Sequence, residues 1–363
     1  MVSPTEVMSD VCDPIDNRRL AIVVALGLAP CVAGCGSDTG VAGVPVMPLV
    51  EETLVASKMP LAGTISPEAD GFGFARARDL RFSGDRLVVL ENQNSRLVIF
   101  DRDLRPVQTI GREGAGPGEL RGAFSIDVLP DQYAVAEINN VRITVFSPDG
   151  SFLRSFAVPA GMEQFAYGPD GTIYVNAYDG RHYMYAVNGE SISTPFAERP
   201  RDLYLEAGLG ETPASLGHVL VAVTRSGDVH LYDPLIAGLI RFDAAGTRTF
   251  MRSLPPRFRE GLRTQTQLVA ADFGGSGKGW GARATDLTVT DDDRLLLLFP
   301  PIDGVFGLIM DPETYAAQAV RWSPEVLAAR PGLGGASGVI RQGRFWHVVG
   351  DEVTVYTLQP DGS

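Results

Sequence analysis

Cysteine is almost absent from this 363-residue sequence, and all three cysteines, Cys12, Cys31 and Cys35, lie near its start. The rest of the chain therefore has no thiol for a disulfide framework, a thiolate metal site or a Cys/His catalytic pair. The G-x-S-x-G nucleophile motif is also absent, whereas a Ser-His-Asp arrangement from scattered positions stays open. These absences indicate that packing alone holds the body of the protein together.

Positive charge is scarce as well. The sequence has 31 Lys and Arg against 44 Asp and Glu, a net charge of -13, and it contains no basic run of five or more residues. Binding to nucleic-acid phosphates requires a positive surface. We therefore expect no nucleic-acid partner.

The N-terminal apolar run is too short to span a bilayer stably. Residues 20–29, LAIVVALGLA, follow the basic pair Arg18 and Arg19 and precede Pro30. A basic pair, about ten apolar residues and a group of small residues are typical of a secretory signal, whereas a spanning helix needs about 20 apolar residues. We expect the protein to be exported from the cytoplasm.

The next residues, Val32-Ala33-Gly34-Cys35, resemble the bacterial lipoprotein box. The resemblance implies that residues 1–34 are removed and that Cys35 is lipidated, which would anchor the protein to the lipid bilayer of a bacterial membrane, facing the periplasm or the cell surface. An ordinary cleaved signal and an uncleaved anchor with an incidental cysteine are the alternatives. Residues 35–50 contain Gly and Pro without a helical period, which predicts a flexible tether.

A repeat dominates the body of the chain. Residues 85–101, DRLVVLENQNSRLVIFD, return 46 positions later at 131–147, DQYAVAEINNVRITVFS. The matched pairs are Asp85/Asp131, Val89/Val135, Glu91/Glu137, Asn94/Asn140, Arg96/Arg142 and Phe100/Phe146. Two β-rich runs joined by an Asn-containing turn predict hairpins. A period of about 40 to 50 residues built from hairpins is typical of propeller blades of about four strands.

Two segments resemble known propellers. Residues 111–120, GREGAGPGEL, and residues 137–150, EINNVRITVFSPDG, are similar to NHL repeats and related TolB-like six-bladed β-propellers. The resemblance implies that Asn140 is a hairpin-turn residue, that Arg142 is solvated or pairs between blades, and that Phe146 belongs to the core. Glu137 stands where that family usually has Asp.

We predict an all-β fold, a six-bladed β-propeller of four-stranded antiparallel blades spanning residues 51–363. The six copies lie at 78–111, 124–158, 165–189, 221–246, 286–315 and 337–362. A lone strand within residues 51–65 is expected to complete blade six beside VTVYTL and so close the ring, because an open ring leaves an unpaired edge. Residues 195–217 and 252–284 exceed blade length, and the second insertion is predicted to hold a helix over 258–271.

Other candidate sites do not fit their motifs. Residues 274–281, GGSGKGWG, cannot form a P-loop, because Asp272 and Gly279 stand where Gly and Ser or Thr are required. Clustered acids at 101–103 and 291–293 are interpreted as turns rather than calcium sites. The four histidines hold non-equivalent blade positions, which argues against a zinc site on the axis. We expect no cofactor and no resident metal.

Residues at the start of each inner strand should face the axial channel. The repeat alignment places Asp79, Ser125, Gln164, His218 or Leu220, Asp286 and Ser337 there. None is assigned a catalytic role. We predict a noncatalytic binding or scaffolding module for a protein or small ligand. The alternative is a metal-assisted, lactonase-like hydrolase or lyase that uses the carboxylates of Asp79 and Asp286, with a divalent cation in the channel.

Overall fold

Strands form most of the structure. The computed structural model describes residues 44–50, 52–58, 64–65, 76–158, 162, 164–176, 182–188, 191–206, 219–272, 283–329, 337–349 and 352–361. Cys35 and His218 lie outside these residues, as do the predicted signal and most of the predicted tether. No helix among the described residues is long and apolar enough to cross a membrane.

The strands form blades in chain order. Strands β1 (Leu54–Lys58) and β2 (Thr64–Ile65) precede blade one, which contains β3 (Ala77–Ser83), β4 (Arg86–Glu91), β5 (Arg96–Phe100) and β6 (Pro106–Ile110). Blade two contains β7 (Ala123–Leu129), β8 (Gln132–Glu137), β9 (Arg142–Phe146) and β10 (Phe152–Ala157), and blade three contains β11 (Phe165–Tyr167), β12 (Ile173–Asn176), β13 (His182–Asn188) and β14 (Ser191–Glu198).

The second half of the ring repeats the pattern. Blade four contains β15 (Leu220–Val223), β16 (Val229–Asp233), β17 (Gly238–Phe242) and β18 (Arg248–Ser253), and blade five contains β19 (Asp286–Val289), β20 (Leu295–Ile302), β21 (Val305–Met310) and β22 (Ala317–Trp322). Blade six contains β23 (Gly338–Arg341), β24 (Arg344–Val349) and β25 (Glu352–Pro360). Neighbouring strands within each blade pair antiparallel, in sequence order.

Tight turns explain why these sequences form hairpins. The turns between the second and third strands of blades one and two hold Ser95 at φ 51° and Val141 at φ 50°, in the left-handed region. Val141 is β-branched, so this backbone is costly for it. The turn is held by the Asn140 side chain, which donates to the carboxylate of Glu137. The predicted turn role of Asn140 is therefore confirmed.

The hydrophobic core lies between the blades. Each of six buried clusters joins two neighbouring blades: one and two, two and three, three and four, four and five, five and six, and six and one. Phe146 is 1% exposed and lies in the cluster between blades one and two, as the sequence predicts. Each blade therefore has both faces of its sheet covered by its two neighbours.

The N-terminal strand closes the ring. β1 pairs antiparallel with β25, from Leu54 opposite Pro360 to Lys58 opposite Tyr356, and so supplies the fourth strand of blade six. This confirms the predicted closure. The other edge of β1 pairs in parallel with β22 of blade five, so blades five and six share one nine-stranded sheet. That second pairing was not predicted.

Residues 44–50, in the segment predicted to be a tether, contact the propeller. Met47 is 2% exposed, and its N–H donates to the Ser253 carbonyl at 2.9 Å, while the Ala317 N–H donates to the Pro48 carbonyl at 2.8 Å. This part of the segment therefore crosses the outer strands of blades four and five.

Both predicted insertions begin too early. Residues 252 and 253, assigned to the second insertion, belong to β18 of blade four. β14 lies within 191–198, so residues 195–198 belong to blade three rather than to an insertion; Pro195 is compatible with this strand because it is the outermost of its blade. The helix α1 (Arg201–Glu206) follows it. The predicted helix in the second insertion is confirmed as α2 (Pro256–Asp272), and α3 (Pro324–Ala329) was not predicted.

Candidate functional site: the axial cavity

A buried charge cluster lies where the inner strands meet on the axis. Arg81 Nη1 donates to Asp79 Oδ1 at 2.6 Å, Arg81 Nε lies 3.8 Å from Asp127 Oδ1, and Arg81 Nη2 lies 3.8 Å from Asp286 Oδ1. Burial alone would lower the pKa of Arg81, but the three carboxylates outweigh burial and raise it above its usual value. The guanidinium therefore stays charged and neutralises part of the surrounding negative charge.

Strand geometry explains how these groups converge. The inner strands β3, β7, β11, β15, β19 and β23 contact one another in sequence around the axis. Side chains two residues apart on a strand point to the same side, so Asp79 and Arg81 of β3 face the axis together. Asp127 of β7 lies 46 positions after Arg81, the same spacing as the repeat, and so occupies the equivalent place in blade two.

Hydrogen bonds extend the cluster to all six blades. Asp79 Oδ2 accepts from the Ser125 hydroxyl at 3.3 Å and from the Ile126 N–H at 2.9 Å, which joins blades one and two. Gln164 of blade three donates to Asp286 Oδ1 at 3.1 Å and accepts from the Val221 N–H of blade four at 2.7 Å. The network holds the inner strands at fixed separations.

Ser337 of blade six links two carboxylates. Its hydroxyl contacts Asp79 Oδ1 and lies 2.7 Å from Asp286 Oδ2. A hydroxyl carries one hydrogen, so only one of these contacts can use it, and the other requires a proton on a carboxyl group. Burial raises the pKa of Asp286, and repulsion from Asp79 adds to this against the opposing effect of Arg81. Burial and the neighbouring carboxylate therefore both favour the protonated form of Asp286.

Asp127 is held differently from the other two carboxylates. It accepts hydrogen bonds from the backbone N–H groups of Tyr167 at 2.6 Å and Val128 at 2.9 Å. Its side chain is 21% exposed, against 6% for Asp79 and 5% for Asp286. Burial raises the pKa of Asp127, although Arg81 and the two N–H groups act in the opposite direction.

The structure brings five of the predicted channel residues into this one network. Asp79, Ser125, Gln164, Asp286 and Ser337 are all members, and Leu220, the alternative to His218, lies in the core between blades four and five. Sequence reasoning missed Arg81 and Asp127. The signal was present, because each lies two residues after a predicted channel residue on the same strand.

Arg81 and Asp127 also form part of the lining of a cavity of about 660 Å³. Every inner strand and the turn after it contribute to its wall, and the apolar lining includes Phe82, Val128, Leu129, Phe165, Ala166, Val221, Val223, Leu287, Val289, Val339 and Ile340. Ligand cavities in proteins have about 300 to 1,000 Å³, mostly apolar walls and a few polar groups. This cavity has those properties.

The rim of the cavity is cross-linked by polar contacts between turns. Arg341 of blade six lies 4.5 Å above the ring of Phe82 and donates to Asp85 Oδ1 at 3.2 Å, both in blade one. Arg225 of blade four donates to the Asp291 carbonyl of blade five at 2.7 Å, and Asp291 Oδ2 accepts from the Gln342 N–H at 2.8 Å. These contacts hold four consecutive blades together at the opening.

The donor set does not fit the divalent cation of the alternative prediction. Asp79 and Asp286 already accept hydrogen bonds from neighbouring residues, and the Arg81 guanidinium lies between them. A cation could use these oxygens only by displacing Arg81. Among the described residues, no group of three or more His, Cys, Asp or Glu side chains is arranged to hold a metal. We therefore derive no metal-assisted step.

The repeat's Glu, Asn and Arg have a structural role instead. Glu137 is fully buried and accepts from Arg142 Nε at 2.8 Å, while Arg142 Nη2 donates to the Glu119 carbonyl at 2.7 Å in the connector between blades one and two. The ion pair is within one blade, so the expected inter-blade ion pair of Arg142 is not formed, and the side chain is largely buried against the connector rather than solvated. Glu91 and Arg96 form the same pair in blade one at 2.6 Å.

Comparisons with known proteins agree with this architecture. A protein-family model described as a 6-bladed beta-propeller (DUF5128) matches residues 69–194. No curated protein matches the sequence. Similar solved structures include a candidate exported protein of Bacteroides fragilis, at 15% identity and a TM-score of 0.50 over 77% of this chain and 80% of that one.

Two further structures share the fold. A streptogramin B lyase is 10% identical with a TM-score of 0.51, over 85% of this chain and 98% of that one. The Cps50 (Swd1) β-propeller domain of Myceliophteria thermophila is 10% identical with a TM-score of 0.51, over 84% of this chain and 100% of that one. Such low identities show the fold alone. With its blades, closing strand and axial network, the chain is an all-β six-bladed β-propeller.

Proposed function

We propose that this propeller is a noncatalytic binding module that takes a small ligand into its axial cavity. The supporting observation is the cavity itself, about 660 Å³ with walls from all six inner strands. Its size and its apolar wall suit a compact organic molecule. The axial network and the cross-linked rim hold the wall rigid, which reduces the entropy lost on binding.

The burial and the contacts of the acidic groups favour a binding function over a hydrolase or lyase activity. A general base must be free to take a proton from a substrate, and a general acid must be able to reach it. The side chains of Asp79 and Asp286 are only 6% and 5% exposed, and they interact with Arg81 and Ser337. Neither belongs to the cavity lining. Asp127, the most exposed carboxylate of the axial cluster, has no histidine or second free carboxylate beside it among the described contacts.

We further propose that the module is exported and lipid-anchored through Cys35. The support comes from the N-terminal sequence, with its basic pair, short apolar run and lipoprotein-like Val-Ala-Gly-Cys segment. Metabolic labelling with a radioactive fatty acid tests this. The wild type should incorporate label and fractionate with membranes, and Cys35→Ser should do neither. Equal labelling of both proteins would reject the anchor and leave the binding proposal standing.

A thermal-shift screen tests the binding proposal. Ligands that bind only the folded state stabilise it by RT ln(1 + L/Kd) at free ligand concentration L, about 2.7 kcal/mol at 100 times Kd, and so raise the melting temperature. Val223 is partly exposed in the cavity wall, so Val223→Trp should place an indole ring in the cavity and obstruct it. Compounds that stabilise the wild type should not stabilise Val223→Trp.

A second blocking variant, Val128→Trp, controls for misfolding of the first. Val128 lies in the cavity wall in blade two, whereas Val223 lies in blade four. Circular dichroism should confirm that at least one variant is folded. The proposal is wrong if stabilising compounds act equally on a folded blocked variant, or if a broad library of molecules of suitable size stabilises nothing.

A further inference from the structure

We propose that the ligand of the axial cavity carries a positively charged group, such as an ammonium or amidinium, that pairs with Asp127, and an apolar body that lies against the cavity wall. This inference rests on the proposed binding function. It goes further because it identifies the chemical class of ligand and the residue that selects it.

The charges of the axial cluster next to the cavity are unbalanced. Three carboxylates, those of Asp79, Asp127 and Asp286, surround the single guanidinium of Arg81. Even with one proton shared between Asp79 and Asp286 through Ser337, two negative charges face one positive charge. Buried charge without a partner is costly, so a cation at this position would be strongly favoured.

The unbalanced charge is accessible at Asp127. Arg81 makes a short contact of 2.6 Å only with Asp79, and its 3.8 Å approach to Asp127 is too long for a hydrogen bond. Asp127 accepts from two backbone N–H groups, which leaves acceptor capacity on its carboxylate. It is also the most exposed carboxylate of the cluster and the only one of the three in the cavity lining.

The cations at the rim do not compete for this role. Arg341 interacts with Asp85, the Gly84 carbonyl and the ring of Phe82, and Arg225 donates to the Asp291 carbonyl. Both are therefore held at the turns, within contacts of their own. An anionic ligand would have to approach Asp127 with its own negative charge or break these rim contacts.

The apolar residues of the cavity wall indicate the chemistry of the uncharged part of the ligand. Phe82, Phe165, Val289 and Ile340 contribute apolar surface from four different blades. Such a surface binds alkyl or aromatic groups and offers little to a strongly hydrated sugar or nucleotide. A cation with an aromatic or alkyl body matches both the carboxylate of Asp127 and the apolar wall.

Binding of three matched probes to the full folded chain tests the inference. The probes are 4-(biphenyl-4-yl)butylamine, the corresponding alcohol and the corresponding carboxylate, which share one apolar body and differ in charge. Isothermal titration calorimetry should give the lowest Kd for the amine. Asp127→Asn should raise the Kd of the amine by about 30-fold or more, as expected when one partner of a desolvated charge pair is removed. The Kd of the alcohol should stay nearly unchanged.

Two further variants keep the test decisive. Asp103→Asn removes one negative charge from an exposed turn, where the side chain is 57% exposed, and should leave all three affinities unchanged. Asp127→Ser keeps a hydrogen-bond acceptor and replaces Asp127→Asn if that variant does not fold. If the alcohol or carboxylate binds as well as the amine, or if the amine is insensitive to both Asp127 variants, the charge assignment is wrong.

The outcomes separate the two proposals. Probes that bind the wild type, fail to bind Val223→Trp and show no charge preference would overturn the charge assignment and retain the binding function. Probes that bind the wild type and Val223→Trp equally well would overturn both proposals, because binding would then lie outside the cavity. Failure of all three probes to bind would overturn the inferred ligand class, and the library screen would still decide the binding function.

Discussion

Arg81 should be the most sensitive charged position in the ring. Arg81→Met keeps much of the side-chain volume and removes the only guanidinium among Asp79, Asp127 and Asp286. Removal of one partner from a buried ionic group typically costs about 3–5 kcal/mol, because the opposite charge stays buried without compensation. Folded domains have a total stability of about 5–15 kcal/mol, so the variant should be folded but much weakened.

The loss should depend on pH in a defined direction. In the wild type, burial already raises the pKa values of Asp127 and Asp286 above their usual range, so the folded state binds more protons than the unfolded state above about pH 3.9, the usual aspartate pKa. Stability from such groups is present at low pH and is lost as pH rises through the folded-state pKa. Without Arg81 these pKa values should rise further, so the deficit of Arg81→Met should shrink between pH 8 and pH 5.

Urea denaturation of the two proteins at pH 8 and pH 5 measures this effect. Arg81→Met combined with Asp286→Asn should recover part of the lost stability, since it removes one uncompensated carboxylate. Arg105→Met is the matched control, because Arg105 is 77% exposed and surface substitutions usually change stability by about 0.5 kcal/mol or less. A deficit below about 1 kcal/mol at pH 8, or one that grows as the pH falls, would refute the interpretation of the axial cluster.

Other positions give further predictions. Glu137→Ala should reduce the free energy of unfolding by about 3 kcal/mol, because it leaves Arg142 without its carboxylate, and chemical denaturation would show an unchanged value if the pair were unimportant. Ala56→Pro should cost about 3 kcal/mol or more by breaking the pairing of β1 with blades five and six; a melting temperature equal to that of the wild type would contradict the role of β1 in closure. Burial, with a contribution from Arg241, lowers the pKa of His230 to about 3. The unfolded state therefore binds the extra proton below about pH 6.5, and the wild type should lose about 2 kcal/mol more than His230→Asn between pH 8 and pH 5; parallel urea curves at both pH values would show that His230 does not titrate in this way.

The repeat carried much of the fold prediction. Hairpin turns such as those at Asn94 and Asn140 are local features, and their return after 46 residues reveals the blade period without any knowledge of distances. Closure by the strand before blade one followed from the need to pair an edge, and β1 does pair with β25. The fourth strand of blade three was not predicted: the predicted copy ended at residue 189 and residues 195–198 were assigned to an insertion. Its sequence SISTPFAE is polar, contains proline and has little of the repeat pattern.

The candidate site was only partly accessible to sequence reasoning. Alignment of the repeats identified the strand starts, and so it found Asp79, Asp286 and Ser337. Ser337 contacts both carboxylates, although Asp79 lies 258 positions and Asp286 51 positions before it in the chain. Alignment could not show that Arg81 would lie among the carboxylates, because that depends on where six strands place their side chains around one axis.

Sequence by itself determined the blade period, the closing strand and the polar character of the inner-strand starts, because each follows from local propensity or from a pattern that repeats. Only the tertiary structure decided the charge balance at the axis, the position of Asp127 in the wall, the size of the cavity and the second pairing of β1 with β22. These properties arise from distances between residues far apart in the chain, and such distances exist only once the blades have packed into a ring.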